Sequence, residues 1–453
     1  MRKNLQFKEI LLVGSLLFGL FFGAGNLIFP LELGYGSGGN VLPVSIGFIL
    51  SAVGLPILGV VSASLTDSDN LFELSRPGGT FFAYAFTIIL YLAIGPGFAI
   101  PRTATVSFEV GFAGPYNIDK TIGLLVFSVV FFILVLEFSV KRSKLIDTIG
   151  KYMTPIFILL LSVLIVFSII KPMAGLGTGY MQEKYVNNPF AKGIIDGYNT
   201  MDAPASLAFA IIIISAVKQL GVKNAKNIAK ETLKAGLVCL VAMSIIYGFL
   251  AFIGNTSSGI LKGENNGAVI LSKVSYHYLG KFGYIMLTFI VFLACLKTAI
   301  GLVSAASEMF EILLPFRITY KVYCYIFSAL SFLVANLGLD TIIKLSLPIL
   351  LFLYPIAIVL ITLSILSIFI GRRELVYKSI LLFTAIGSLA DLFKNLPLEL
   401  STRPIVRTWI SISERYLPGA KIGFSWIAPA LIGLIIGLIL DGILRRNLNK
   451  EIR

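Results

Sequence analysis

Gly14-Ser15-Leu16-Leu17-Phe18-Gly19-Leu20-Phe21-Phe22-Gly23-Ala24-Gly25-Asn26-Leu27-Ile28-Phe29-Pro30 is an apolar stretch with three small residues and an amide at its middle. Glycine admits backbone conformations that a helix forbids and costs about 1 kcal/mol of helix propensity relative to alanine. Gly23-Ala24-Gly25-Asn26 therefore predicts a helix broken at mid-depth. A second apolar stretch, five spans further on, carries Gly197-Tyr198-Asn199-Thr200-Met201-Asp202-Ala203-Pro204, which again sets glycine, polar residues, an acid and proline at its centre. Interrupted segments at corresponding places in two halves point to an inverted-repeat transporter that holds its substrate where the breaks meet. The competing explanation is that Gly-x-Gly only lets helices approach closely.

The rest of the chain agrees with a membrane setting. Of 453 residues, 57% are hydrophobic and 13% charged, and the mean hydropathy is +0.92, far from a soluble domain. At about 20 residues per span, twelve helices are expected, centred near Phe22, Gly54, Leu92, Val130, Leu160, Ala205, Val241, Phe289, Leu330, Pro355, Thr384 and Ile435. The fold class is thus an all-α polytopic membrane protein, one domain over 1–453 without a soluble enzyme module. The first apolar run follows Arg2, Lys3 and Lys8 and is too long for a signal-peptide core, so it reads as a span.

The net charge of +14 is spread over loops and forms no basic face or tail, which argues against nucleic acid. Alternate loops hold the basic residues: Arg2, Lys3 and Lys8; Arg76; Lys141, Arg142 and Lys144; Lys218 to Lys234; Arg317 and Lys321; Arg372, Arg373 and Lys378; Arg445, Arg446, Lys450 and Arg453. The positive-inside rule then puts both termini in the cytoplasm of a bacterial cell with the chain in its inner membrane. Arg403, Arg407 and Arg415, in the connection from about Leu396 to Lys421, are the exception. Cys239, Cys295 and Cys324 sit in apolar runs and read as packing residues, and His277, the single histidine, as a surface or structural residue in a polar connection. No phosphate-cradling Gly-x-x-x-x-Gly-Lys-Ser/Thr loop and no His-Glu-x-x-His pair is present, so ATP-driven transport and an intramembrane enzyme are not indicated. A channel would need rings of pore-lining polar residues instead of paired breaks.

Unwinding a helix in lipid frees N–H and C=O groups that only a cavity, ions or a ligand satisfy. The half-helix beginning near Gly25 would aim N–H groups at a carboxylate, while carbonyls ending the preceding half would accept from an ammonium or bind a cation. A zwitterionic amino acid matches both. With no embedded cluster of acids or bases, its side chain should be apolar. The candidate substrate residues are Gly23, Ala24, Gly25 and Asn26 in the first break, and Gly197, Tyr198, Asn199, Thr200 and Asp202 in the second. Asp202 also suits an N-cap of the second half-helix. Arg102 and Glu109, seven residues apart on one helix face, read as gating or structural pairing residues, and Arg102 also suits snorkelling to an aqueous end. Lys297 is the most anomalous residue, an ammonium in the middle of the eighth span.

At these positions the sequence resembles the branched-chain amino acid transport system II carriers, the leucine-isoleucine-valine:cation symporter family of the amino acid-polyamine-cation superfamily. The resemblance rests on Phe22 to Pro30, on Ala99-Ile100-Pro101-Arg102-Thr103-Ala104-Thr105-Val106-Ser107-Phe108-Glu109, and on Gly197 to Asp202. It implies a LeuT-like five-plus-five inverted repeat, with repeats over about 8–172 and 188–371 and two extra helices over about 375–446. It also implies uptake of leucine, isoleucine and valine, usually with sodium, and no other cofactor. By similarity to the wider fold, a cation site would use the carbonyls of Gly19, Phe22 and Ala294 and the hydroxyl of Thr298. Lys297 stands where a second hydroxyl is expected. An ammonium repels a cation, so sodium coupling gives way here to a proton or to no ion if Lys297 reaches the carbonyls of Gly19 and Phe22. Otherwise Lys297 runs to water or pairs with an acid and leaves a sodium site intact.

Overall fold

The computed structural model describes residues 2–451 apart from Asn117, Lys262 and Asn265, so Arg453 of the C-terminal basic group lies outside the described residues. Among these the fold is all-helical, with two isolated β-bridges and no strand. In chain order the principal helices are α1 (Phe7–Phe21), α2 (Ala24–Gly36), α3 (Gly38–Leu65), α4 (Thr80–Ala113), α5 (Lys120–Ser139) and α6 (Arg142–Ile170). They continue with α7 (Pro189–Gly197), α8 (Asp202–Gln219), α9 (Ala225–Ser257), α10 (Gly267–Leu313), α11 (Tyr320–Ala335) and α12 (Leu339–Ile370). The chain closes with α13 (Glu374–Lys394), α14 (Pro404–Tyr416) and α15 (Ile427–Glu451).

Ten of these helices are long and apolar enough to cross a membrane, and α1 with α2 forms an eleventh span bent by 73°. The expected ninth span near Leu330 is α11, whose 16 residues fall short of that length. Asx side chains start several helices by accepting from orphan N–H groups. Asp119 accepts from Thr121 and Ile122, Asn224 from Asn227, and Asn266 from Ala268.

Burial sorts the bundle. The apolar window of α8 is 83% buried whereas those of α5 and α15 are 28% buried, which puts α8 at the centre and the other two at the periphery. The outer face of α5 presents Ile122, Val126 and Ile133, an arrangement that hydrocarbon tolerates and water does not. At the centre α2 crosses α9 almost backbone to backbone: a Cβ on Gly34 would lie 2.0 Å from the Ala251 carbonyl oxygen, and one on Gly254 would lie 1.9 Å from that of Leu31. Such a crossing accepts only glycine.

The first break falls at Phe22 and Gly23, between α1 and α2. In the second, α7 runs into a 3₁₀ turn over Tyr198–Thr200, and Met201 in the left-handed region (φ 64°, ψ 11°) starts α8. Two interruptions were not expected. Ala93–Gly97 of α4 is a π-helical turn with Gly95 at φ −88°, ψ −124°, and α10 is kinked at Gly280, which has φ 56°. His277 accordingly lies on the helix just before that kink, exposed, and not in a polar connection.

Candidate functional site

The two breaks meet. Asn26, three residues into the turn that follows the first break, accepts from the Gly23 N–H through Oδ1 at 3.0 Å. Its Nδ2 donates to Asp202 Oδ2 and to the Tyr247 hydroxyl, each at 2.5 Å. Asp202 is 3% exposed and Asn26 2%. An amide thus ties residues 176 positions apart across the core, with α9 supplying the tyrosine. Asp202 is therefore not the cap that the sequence suggested. Met201 occupies the capping position without a side-chain bond, Asp202 is the first helical residue, and its carboxylate turns to the other break because Asn26 is a better placed donor than its own helix.

Around this junction lies a small cavity. Its polar lining consists of Gly23, Ala24, Gly25, Asn26, Arg102, Thr103, Thr200, Asp202 and Thr298. Its apolar lining consists of Leu20, Phe21, Ile94, Ala99, Met201, Ala205, Phe209 and Leu302. The wall is built by α1, α2, α4, α8 and α10. Ala24 and Gly25 open α2, so by helix geometry their N–H groups have no acceptor in the preceding turn. Glycine at 25 keeps this end open, because a Cβ there would lie 3.0 Å from Phe29 Cε2 and 3.5 Å from Arg102 Nη2.

Other expected residues stand behind the wall. Gly197 packs on α3, where a Cβ would meet Ser51 Oγ at 1.9 Å, and its carbonyl accepts from Thr200 Oγ1 at 2.9 Å. Tyr198 stacks on Tyr354 with ring centroids 4.1 Å apart, and its carbonyl accepts from Met201 N–H. The Asn199 carbonyl accepts from Arg102 Nη1 at 3.3 Å, and Asn199 faces a second cavity lined in part by Lys192, Asp196, Leu351 and Asp391. Glu109, half-buried, begins a π-helical turn two turns beyond Arg102.

The expected cation position is arranged differently. Thr298 Oγ1 donates to the carbonyl of Leu20 at 3.1 Å, not to Gly19 or Phe22, because the chain turns at Phe22 and presents the Leu20 carbonyl to α10. Ala294 is fully buried beside them. Lys297 is wholly buried, and its Nζ has no hydrogen-bond partner among the described residues. It neither reaches water nor pairs with an acid, nor does it bond the carbonyls of Gly19 and Phe22. Its Cδ passes 3.7 Å from where a Gly19 Cβ would be, and Nζ sits 3.9 Å from the Phe157 ring centroid and 5.5 Å from that of Phe18. Aromatic faces attract a cation in this geometry. Thr154 Oγ1, which would lie 2.3 Å from a Gly19 Cβ, is also buried without a partner among the described residues.

The residues missed from the sequence are the apolar wall and Thr103. The one signal for them was Gly95-Pro96-Gly97, which loosens α4 beside Ile94 and Ala99. The rest look like any span.

The family model for branched-chain amino acid transport proteins matches residues 6–444. The branched-chain amino acid permease BrnQ of Lactobacillus delbrueckii subsp. lactis is 38% identical, covering 99% of this chain and all of the relative. BrnQ of Bacillus subtilis is 40% identical, covering 97% of this chain and 98% of the relative. The branched-chain amino acid transport system 2 carrier protein of Pseudomonas aeruginosa is 35% identical, covering 96% and 97%. Among solved structures, Mhp1, a nucleobase-cation-symport-1 family transporter in a closed conformation with bromovinylhydantoin bound, superposes with a TM-score of 0.61 at 12% identity. It covers 94% of this chain and 91% of its own.

Proposed function

The chain belongs to the branched-chain amino acid transport proteins, and on that footing we propose that it is a secondary transporter importing leucine, isoleucine and valine across the bacterial cell membrane. As in its relatives, the activity is transport and not enzymatic catalysis. The observation that carries the reading is the cavity at the meeting of the two breaks, whose lining combines charged and backbone groups with branched and aromatic side chains. The ligand's carboxylate meets the N–H groups of Ala24 and Gly25, where the partial positive charge of the helix end favours an anion. Its ammonium meets Asp202 and Thr200, and its branched side chain meets Ile94, Phe209 and Leu302. Leaving any of these charges unpaired in so buried a place would cost several kcal/mol, so recognition of a zwitterion is strict. Alternating access then moves the bundle around this fixed point, with five-plus-five repeats and two further helices as its framework.

For coupling, we read Lys297 as the reason that sodium is not required. Its buried side chain stands beside Gly19, with Cδ 3.7 Å from where a Gly19 Cβ would be, so a second cation bound at that end of α1 would meet like charge in a medium of low dielectric. The coupling agent is a proton or none, and no other cofactor enters.

Equilibrium binding of labelled leucine to the purified protein tests the substrate reading. Saturable binding displaced by isoleucine and valine, and not by lysine or glutamate, is expected. Displacement by glycine or alanine at equal concentration would shift the reading to another small neutral amino acid.

A further inference from the structure

Arg102 is a charged group that the preceding account leaves without a task. Its guanidinium lines the cavity and its face lies 4.9 Å from the Phe29 ring centroid. One of its five N–H donors, on Nη1, bonds the Asn199 carbonyl at 3.3 Å, while Nε is buried without a partner. No ion pair joins it to Asp202 among the described residues; the Asp202 carboxylate accepts from Asn26 and Tyr247 through Oδ2. Asp202 acts on it only through space, and a buried guanidinium with no anion hydrogen-bonded to it is unfavourable unless one arrives. The place where an anion fits is marked by Gly25: Nη2 is 3.5 Å from where a Gly25 Cβ would stand, beside the open N-terminal end of α2.

We infer that Arg102 is the carboxylate clamp of the transported amino acid, closing on it together with the amides of Ala24 and Gly25. This rests on the amino-acid reading above and assigns a further specificity residue to that site. The guanidinium fork matches a carboxylate and gives a charge-assisted pair where the helix end alone gives a partial charge. Because the same group holds Asn199, which faces the second cavity, the bound carboxylate links α4 to the second break and shuts the layer between the two cavities.

The test compares leucine with leucinamide, which keeps the ammonium and the side chain and replaces the carboxylate by a neutral amide. Binding of both is measured by competition on the purified protein. Wild type is expected to prefer leucine by about 10- to 100-fold, the usual worth of a hydrogen-bonded charge pair, and Arg102→Gln to weaken leucine by that factor with leucinamide nearly unchanged, so that the preference collapses. Should Arg102→Gln fail to fold, Arg102→Lys carries the same test, because it keeps the charge, loses the fork and lowers the ratio part of the way. A leucine-to-leucinamide ratio that survives both substitutions overturns the clamp and leaves the transporter reading standing. Wild type that binds neither leucine, isoleucine nor valine overturns that reading, and the clamp with it.

Discussion

Lys297 concentrates the residue-scale argument. The wholly buried ammonium, without a hydrogen-bond partner among the described residues, lies over the faces of Phe157 and Phe18, and cation–π attraction of a desolvated cation is worth about 2 kcal/mol. Leucine uptake into proteoliposomes by wild type is expected to proceed in sodium-free buffer, and Lys297→Thr to gain a sodium requirement as a second hydroxyl replaces the ammonium. Wild-type uptake that strictly requires sodium contradicts this. A second residue bears on the size of the proposed side-chain pocket. Ala205 lies one turn before Phe209 on the same cavity face, and one added methylene in an apolar pocket is worth about 10-fold or more in affinity. Ala205→Val is therefore expected to weaken leucine more than valine, read as the ratio of their dissociation constants. Equal weakening of both would place the ligand's side chain elsewhere. Both residues show what a sequence reveals. Lys297 is conspicuous because charge is rare in a span, whereas Ala205, Phe209, Ile94 and Leu302 carry no mark that separates a cavity wall from lipid-facing or packing residues.

At the scale of elements the breaks were legible and their wiring was not. Gly23-Ala24-Gly25-Asn26 and Gly197 to Pro204 announce interruption through glycine, proline and polar residues where a span has none. That Asn26 would reach Asp202 and Tyr247 depends on a contact 176 positions away, which local pattern cannot specify. The same holds for Thr298 meeting Leu20 in place of Gly19 or Phe22, since the angle of the break, 73°, decides which carbonyl faces α10. The open end of α2 is the element to which the proposed recognition assigns the carboxylate. Gly25→Val would push a branched side chain against Phe29 and Arg102. It is expected to abolish leucine binding while the thermal melting point stays near that of wild type. Unchanged affinity in the folded variant would remove the carboxylate from this helix end.

For the whole molecule, hydropathy gave the all-helical class and the places of eleven of the twelve expected spans, the ninth being the short α11, and the excess of lysine and arginine in alternate loops gave a proposed orientation. On the side assigned to the cytoplasm, Arg142 at the start of α6 is hydrogen-bonded and ion-paired to the buried Glu308 of α10, which also accepts from Ser215 of α8 at 3.3 Å. Three helices are thereby fastened below the cavity. Lys226, in the first turn of α9, reports the orientation: in intact cells Lys226→Cys is expected to resist an impermeant thiol reagent and to react once the membrane is opened. Labelling from outside would invert the topology.

The central claim is that one saturable site between the two breaks carries branched-chain amino acids from one side to the other. Counterflow tests it most directly, with labelled leucine outside proteoliposomes that are preloaded with unlabelled leucine. The account predicts a transient accumulation of label above equilibrium, which trapped isoleucine or valine reproduces and trapped lysine does not. Label that only equilibrates, at a rate indifferent to the amino acid inside, would contradict it.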